Sequence, residues 1–261
     1  MMENSGHGLT ITQMMKLLDE ADYISEREKI EAKLKWLYGY VKWTDDNFEE
    51  YKLLLDKLRT KKNNTKEIGA ALEDVVSFIF EKSIIYDVYK DQRTGTNEID
   101  HFVVLNNHGK QALHEYSISK ELLITKQDYF VCECKNYKET VSATWVGKFN
   151  TLLEVSGQCE VGIIFSYEGL SGEENKWYAS HGLTKIIYRI SDENKKRFII
   201  DINYNDLEEL YVNRDNIFNL IDRKKKSLIS SIDSNKFYYH GDNDIKEMEE
   251  LYNKCKQEMQ F

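Results

Sequence analysis

Over residues 10–62 apolar side chains return every three or four positions, in three blocks. ITQMMKLLDEADYI and SEREKIEAKLKWLYGYVKW both carry the spacing that gathers apolar side chains on one helical face. The second opens with Ser25 as N-cap and Glu28 three places on. TDDNFEEYKLLLDKLRTK predicts a third helix, started by Thr44 or Asp46. The polar run KKNNTK at 61–66 breaks the pattern and predicts a boundary.

KEIGAALEDVVSFIFEK predicts a helix with Ile68, Leu72, Val75, Val76, Ile79 and Phe80 on one side. The period then shortens. SIIYDVYKD (83–91) and EIDHFVVLN (98–106) read as strands, joined into a hairpin by RTGTNE. NNHGKQ reads as a turn, and residues 111–128 fit strand, helix or both. YFVCECKN (129–136) is a third strand, SATWVGKFNTLLEVSG a helix closed by Gly157, and CEVGIIFSY (159–167) a buried fourth strand. TKIIYRIS (184–191) and KRFIIDIN (196–203) read as further strands. DLEELYVNRDNIFNLIDRKKKSLISSI reads as helix in two pieces. The last stretch, DNDIKEMEELYNKCKQEMQF, is amphipathic, with Ile245, Met248, Tyr252, Cys255 and Met259 on one side. The order helix, strand, strand, strand, helix, strand predicts an α/β domain over 66–210, between helical regions at 1–65 and 211–261.

The 261 residues are 41% hydrophobic and 31% charged, enough for one large domain or one domain with helical additions. Aromatics reach 12%, which excludes a chain disordered by composition. There is no run of eighteen apolar residues, so no membrane-spanning helix is expected. The start MMENSGHGLT lacks a basic region followed by an apolar core, so no signal peptide and a cytoplasmic location are expected. The four Cys (132, 134, 159, 255) form no CxxC pair and are expected as free thiols rather than zinc ligands. A net charge of −9 counts against a generally basic nucleic-acid binder, but local patches steer binding more than the sum does. One such patch, Arg223-Lys224-Lys225-Lys226, reads either as a solvated helical face or as a phosphate contact. There is no GxxxxGK[ST] loop, and no Ser or Cys has a His partner at a readable spacing.

The third strand carries the sharpest signal. Side chains alternate along a strand, so Glu133 and Lys135 share one face while Cys132 and Cys134 share the other. Glu98 and Asp100 likewise share a face of the second strand. If those faces align, Asp100 and Glu133 converge as two hard oxygen ligands of the kind Mg²⁺ takes, beside a Lys that can stabilise phosphate charge. The bland alternative is a partly exposed Glu133–Lys135 ion pair with no chemistry. Glu73, on the preceding helix, faces either the cleft or solvent, and Asp74 reads as a surface acid. Glu98 reads as a solvated turn acid, His101 as a packed or hydrogen-bonded histidine, and His108 and His114 as exposed.

EIDHFVV, FVCECKN and GIIFSYEG, with the Glu73 helix before them, resemble the PD-(D/E)xK nuclease superfamily, and within it restriction-endonuclease-like domains of the Mrr type. The resemblance covers residues 66–170 and extends at most to 210. It implies a mixed central sheet flanked by helices, with helical N- and C-terminal additions. It implies Mg²⁺-dependent (or Mn²⁺-dependent) endonucleolytic hydrolysis of DNA phosphodiesters, in bacterial or phage restriction and defence. Asp100 and Glu133 would hold the metal, with the Cys134 carbonyl as a further ligand. Lys135 would position the attacking water and Glu73 would support the metal shell. Lys148, Arg223 and Lys224 are the candidate phosphate contacts. Ile99 stands where the motif has its proline, 106–128 reads as an insertion, and Trp145, Lys148 and Phe149 occupy the place of the expected Gln-x-x-x-Tyr. Two other readings stay open: a non-catalytic binding or assembly module on the same fold, and an RNA-directed nuclease. A homodimer, or a partner protein met through the helical ends, is the expected association.

Overall fold

The computed structural model describes residues 43–60, 65–94, 97–115, 119–120, 123–136, 138–192 and 195–237. In chain order these form α1 (Asp45–Arg59), α2 (Thr65–Glu81), β1 (Tyr86–Thr94), β2 (Asn97–Leu105), α3 (Asn107–Glu115), β3 (Tyr129–Lys135), α4 (Ala143–Val155), β4 (Val161–Ser166), α5 (Ala179–Ile190), β5 (Phe198–Ile202), α6 (Tyr204–Val212) and α7 (Ile217–Ser230), followed by a 3₁₀ turn at Ser234–Phe237. The strands lie in one sheet in the order β1-β2-β3-β4-β5. β1, β2 and β3 pair antiparallel, whereas β3, β4 and β5 pair parallel. The chain is therefore an α/β fold with a five-stranded mixed sheet flanked by helices. No helix among the described residues is long and apolar enough to cross a membrane.

Local chemistry explains the helix starts. Thr44 accepts from the Asn47 amide at 3.2 Å while the Asn47 side chain accepts from the Thr44 amide at 3.2 Å, a reciprocal cap that fixes the start of α1. Asn203 and Asp206 repeat the arrangement at α6. β4 is buried along its whole length, as a central parallel strand covered on both faces must be.

The two faces of the sheet take different helices. On one face Phe80 of α2 meets Phe130 of β3 and Phe165 of β4, with ring centroids 5.1 and 6.3 Å apart. On the other, α4 lies so close to β4 that a Cβ at Gly162 would come within 2.6 Å of Phe149 Cε1 and Leu153 Cδ1. Glycine is required there by close approach, not by a turn. The core runs without interruption from Trp43 to Leu228. Trp43 packs against Phe48, Tyr51 and Phe78, and the Tyr51 hydroxyl donates to the Leu207 carbonyl at 3.0 Å, so α1 is tied to α2 and α6.

Two elements differ from the sequence expectation. The expected turn NNHGKQ is the first part of α3. Gly109 belongs there because a Cβ would strike Leu105 Cδ1 at 2.6 Å and the Ile85 carbonyl at 2.8 Å. TKIIYRIS, expected as a strand, is the second half of α5, with Thr184, Lys185 and Ile187 turned inward and Ile186 and Ile190 left exposed. Among the described residues Cys132 and Cys159 are free and buried, and Cys134 is free and half-buried. The helices expected before residue 43 and after residue 237, with Cys255, lie outside the described residues.

Candidate active site

β2 and β3 pair His101 with Cys132 and Phe102 with Val131. The next step of that register sets Asp100 opposite Glu133, on the face that also carries Lys135. The side chains complete what the backbone begins. Asp100 Oδ2 accepts the Cys134 amide at 2.7 Å. Lys135 Nζ pairs with Glu133 Oε1 and lies 4.0 Å from Asp100 Oδ2. The three side chains are 21% (Asp100), 13% (Glu133) and 15% (Lys135) exposed, sheltered yet still in contact with solvent. All three lie towards one end of the sheet: Lys135 ends β3 and faces Ser166, the last residue of the parallel β4.

Acid outweighs base at this point. Burial, and next the Asp100 carboxylate, push the Glu133 carboxyl up; Lys135 opposes them. Glu73 on α2, half-buried, is pushed up first by burial and then by Asp100, so its carboxyl lies within electrostatic reach of the pair. Glu133 Oε2 is buried and takes no hydrogen bond from any described residue. Such an oxygen costs about 1–3 kcal/mol unless something compensates it. Two convergent carboxylates, one with an orphaned oxygen, fit the donor set of a hard divalent cation, with backbone carbonyl and water making up the remaining positions. Among the described residues no group of three or more His, Cys, Asp or Glu side chains is placed to hold a metal ion.

The site opens into a cleft of about 400 Å³ lined by Glu98, Glu133, Lys135, Trp145, Lys148 and Phe149. Trp145, in the first turn of α4, organises its cations: Lys135 Nζ lies 5.0 Å and Lys148 Nζ 4.5 Å from the ring centroid. The flat ring stabilises both ammoniums through its quadrupole without neutralising them. α4 is held at that depth by its contact with Gly162.

Other predicted residues take the positions assigned to them, or different ones. His101 is buried on the opposite face, hydrogen-bonded to Ser77 Oγ at 2.9 Å, with its pKa lowered to about 4 by burial. It is a packed histidine. Cys134 Sγ points the same way, 3.7 Å from His101 Nδ1. Asp74 is exposed, 3.9 Å from Lys90, and Glu98 is exposed, 3.7 Å from Arg93. His108 and His114 are exposed. Arg223 and Lys224 require a correction. Arg223 is 3% exposed and pairs with Asp215 at 2.6 Å; Lys224 is 7% exposed and pairs with Asp206 at 2.9 Å and Glu174 at 3.6 Å. They are taken up in ion pairs within the fold and do not form a solvated basic face.

One charged centre goes unmarked in the sequence reading. Asp201 of β5 stands in lateral register with Ile164 of β4 and, through it, with Glu133 of β3. Asp201 Oδ2 accepts the Leu170 amide at 3.2 Å and lies 3.8 Å from His181 Nε2, while Oδ1 takes no hydrogen bond from any described residue. Burial raises the Asp201 carboxyl to about 7 and lowers His181 to about 4. Burial acts against the Lys224 ammonium as well, but Asp206 and Glu174 outweigh it and its pKa is raised. The small pocket lined by these groups holds about 20 Å³, room for one water. The lone acid inside the apolar run FIIDI is the signal that could have marked it, by the same logic as Glu133 in FVCECK.

Comparison of the chain with family models, curated proteins and solved structures finds no match.

Proposed function

We propose that the chain is a divalent-cation-dependent nuclease of PD-(D/E)xK type that hydrolyses phosphodiester bonds in DNA. The observation that carries this reading is the convergence of Asp100, Glu133 and Lys135 beside an open cleft that Glu133 and Lys135 line, with a buried Glu133 oxygen that takes no hydrogen bond from any described residue. The order of elements supports it: a helix, an antiparallel hairpin, the short helix α3, a third antiparallel strand, a helix and a parallel strand, with the acids on neighbouring strands.

Each residue has a distinct task. Asp100 and Glu133 supply carboxylate oxygens for Mg²⁺ or Mn²⁺, and the Cys134 carbonyl adds a further oxygen. When bound, the cation supplies charge neutralisation for the phosphate under attack. Lys135 holds the attacking water and offsets negative charge as it grows on the phosphate oxygens. Trp145 keeps the Lys135 ammonium over the cleft. Glu73 adds negative potential from α2 and favours retention of a cation. Lys148, exposed on the rim, meets the backbone phosphates that flank the scissile bond.

A second reading, a non-catalytic module that binds without cutting, draws on a specific observation: Lys135 already engages one Glu133 oxygen directly. One experiment separates the two. Duplex DNA, single-stranded DNA and RNA are incubated with the purified chain in Mg²⁺, Mn²⁺ or EDTA, beside Lys135→Ala. Cleavage that needs the metal and disappears in Lys135→Ala, with the melting temperature unchanged, supports the nuclease. Cleavage of RNA alone would replace DNA as the substrate. Binding with no cleavage under any condition would leave the module in place of the enzyme.

A further inference from the structure

A second cleft, of about 540 Å³, lies at the far end of the parallel strands. Its walls come from residues 124–127, from 157–160 ahead of β4, from 195–198 leading into β5, and from Lys225 on α7. β4 has six residues. At about 3.3 Å per residue this puts the cleft about 20 Å from the Lys135 end of the sheet. It is therefore separate from the Asp100–Glu133–Lys135 site, and nothing in that site accounts for it.

Its charge runs against that of the chain. Acids outnumber Lys and Arg by 45 to 36 overall, yet among the described residues that line this cleft Lys126, Lys195, Lys196 and Lys225 surround one acid, Glu160. That acid is already used: Glu160 Oε2 accepts the Thr125 hydroxyl at 2.6 Å and the Lys126 amide at 2.9 Å, which ties the 124–127 wall to β4. Two of the lysines are held in place by their surroundings. Lys196 donates to the Ser191 carbonyl at 2.9 Å and lies 5.3 Å over Tyr188. Lys225 donates to the Ile124 carbonyl and lies 4.9 Å over Phe198. These two lysines are pre-positioned and lose little side-chain entropy when an anion binds.

Size and lining narrow the ligand. The volume falls within the roughly 300–1,000 Å³ of small-molecule sites and far exceeds one phosphate ion. Half-buried Phe198, packed against Tyr188 and under the Lys225 ammonium, leaves an apolar ring edge in the wall beside the lysines. We infer that this cleft binds a nucleoside polyphosphate, with the phosphates against Lys126, Lys195 and Lys196 and the base along Phe198.

Calorimetric titration of the full chain in EDTA tests this with ATP, inorganic pyrophosphate, adenosine and a short single-stranded DNA. EDTA keeps metal-dependent binding at the other site out of the measurement. Expected are ATP binding in the micromolar range that weakens as salt rises, weaker binding of pyrophosphate, and none of adenosine. Lys126 and Lys195 are exposed, so the double change Lys126→Glu, Lys195→Glu should weaken ATP by about tenfold or more with no loss of melting temperature. Lys135→Ala should leave ATP binding unchanged whether or not the chain proves to be a nuclease. Failure of ATP to bind at millimolar concentration, or equal binding by the double variant, would overturn the inference. So would binding of the oligonucleotide alone, weakened by the double change, which would make the cleft a nucleic-acid contact.

Discussion

Asp100 Oδ2 takes the backbone amide of Cys134 at 2.7 Å, so the acid of β2 is bonded to the strand that carries Glu133 and Lys135. β3 is also the strand where antiparallel pairing gives way to parallel pairing. The proposed chemistry sits on that seam, and one hydrogen bond aligns its two sides. Asp100→Asn keeps an acceptor for the amide and loses the charge; Asp100→Ala loses both. Both variants should abolish cleavage. Only the alanine variant should lose stability, by about 1 kcal/mol, the lower end of the range because the carboxylate is partly solvated. Urea unfolding midpoints beside cleavage rates check the pair; equal stability of the two variants would remove the alignment role.

Trp145 organises two ammoniums, those of Lys135 and Lys148. Trp145→Leu should slow cleavage by about 2- to 30-fold, the equivalent of about 0.5–2 kcal/mol of lost cation–π attraction. Trp145→Phe should fall between that variant and the parent. Single-turnover rates on one substrate decide it, with circular dichroism to show that α4 persists. A rate unaffected by leucine would mean that the ring only fills space.

Asp201 should make stability fall as pH rises. Its carboxyl titrates near 3.9 in an unfolded chain and at about 7 here, so the folded state holds the proton more tightly between those values. This stabilisation is complete below about pH 4 and is lost as pH climbs through about 7. His181 and His101, both lowered to about 4, act with the opposite sign up to about pH 6.5, so the parent curve alone is ambiguous. The difference between Asp201→Asn and the parent isolates the carboxyl, because Asn can still accept the Leu170 amide. The variant's advantage in melting temperature should grow from pH 4 to pH 7 and then level off. A difference independent of pH would refute the buried acid.

The basic run on α7 contains two kinds of lysine. Lys224 is buried between Asp206 and Glu174, and Lys224→Met should destabilise by about 3–5 kcal/mol because it strands the buried Asp206 carboxylate. Lys226 pairs with Asp222 one turn away on the surface, and Lys226→Ala should change stability by less than about 0.5 kcal/mol. Guanidinium denaturation of the two variants measures the contrast, and similar losses would contradict it.

What the sequence discloses is what local spacing controls. Alternation alone puts Glu133 and Lys135 on one face, and Thr44 marks the start of α1 through its own side chain. Features set from a distance are hidden. Arg223 and Lys224 look solvated beside two further lysines, because the acids that bury them come from other segments: Asp215 in the preceding loop, Asp206 on α6 and Glu174 ahead of α5. Gly109 looks like a turn residue until Leu105 and Ile85 crowd it within α3. In TKIIYRIS the exposed Ile186 and Ile190 supply an apolar run that imitates a strand and masks the inward spacing of Thr184 and Ile187.

The clasp between Tyr51 and Leu207 joins positions 156 residues apart. On a ribosome, which releases the amino-terminal part first, α1 emerges long before its acceptor exists. Trp43, Phe48, Tyr51 and Phe78 can gather around α2 straight away, but the seat of α1 closes only when α6 arrives. Final consolidation of the molecule is therefore tied to the synthesis of its last third, and a nascent chain stalled before Leu207 would present an open aromatic surface to chaperones.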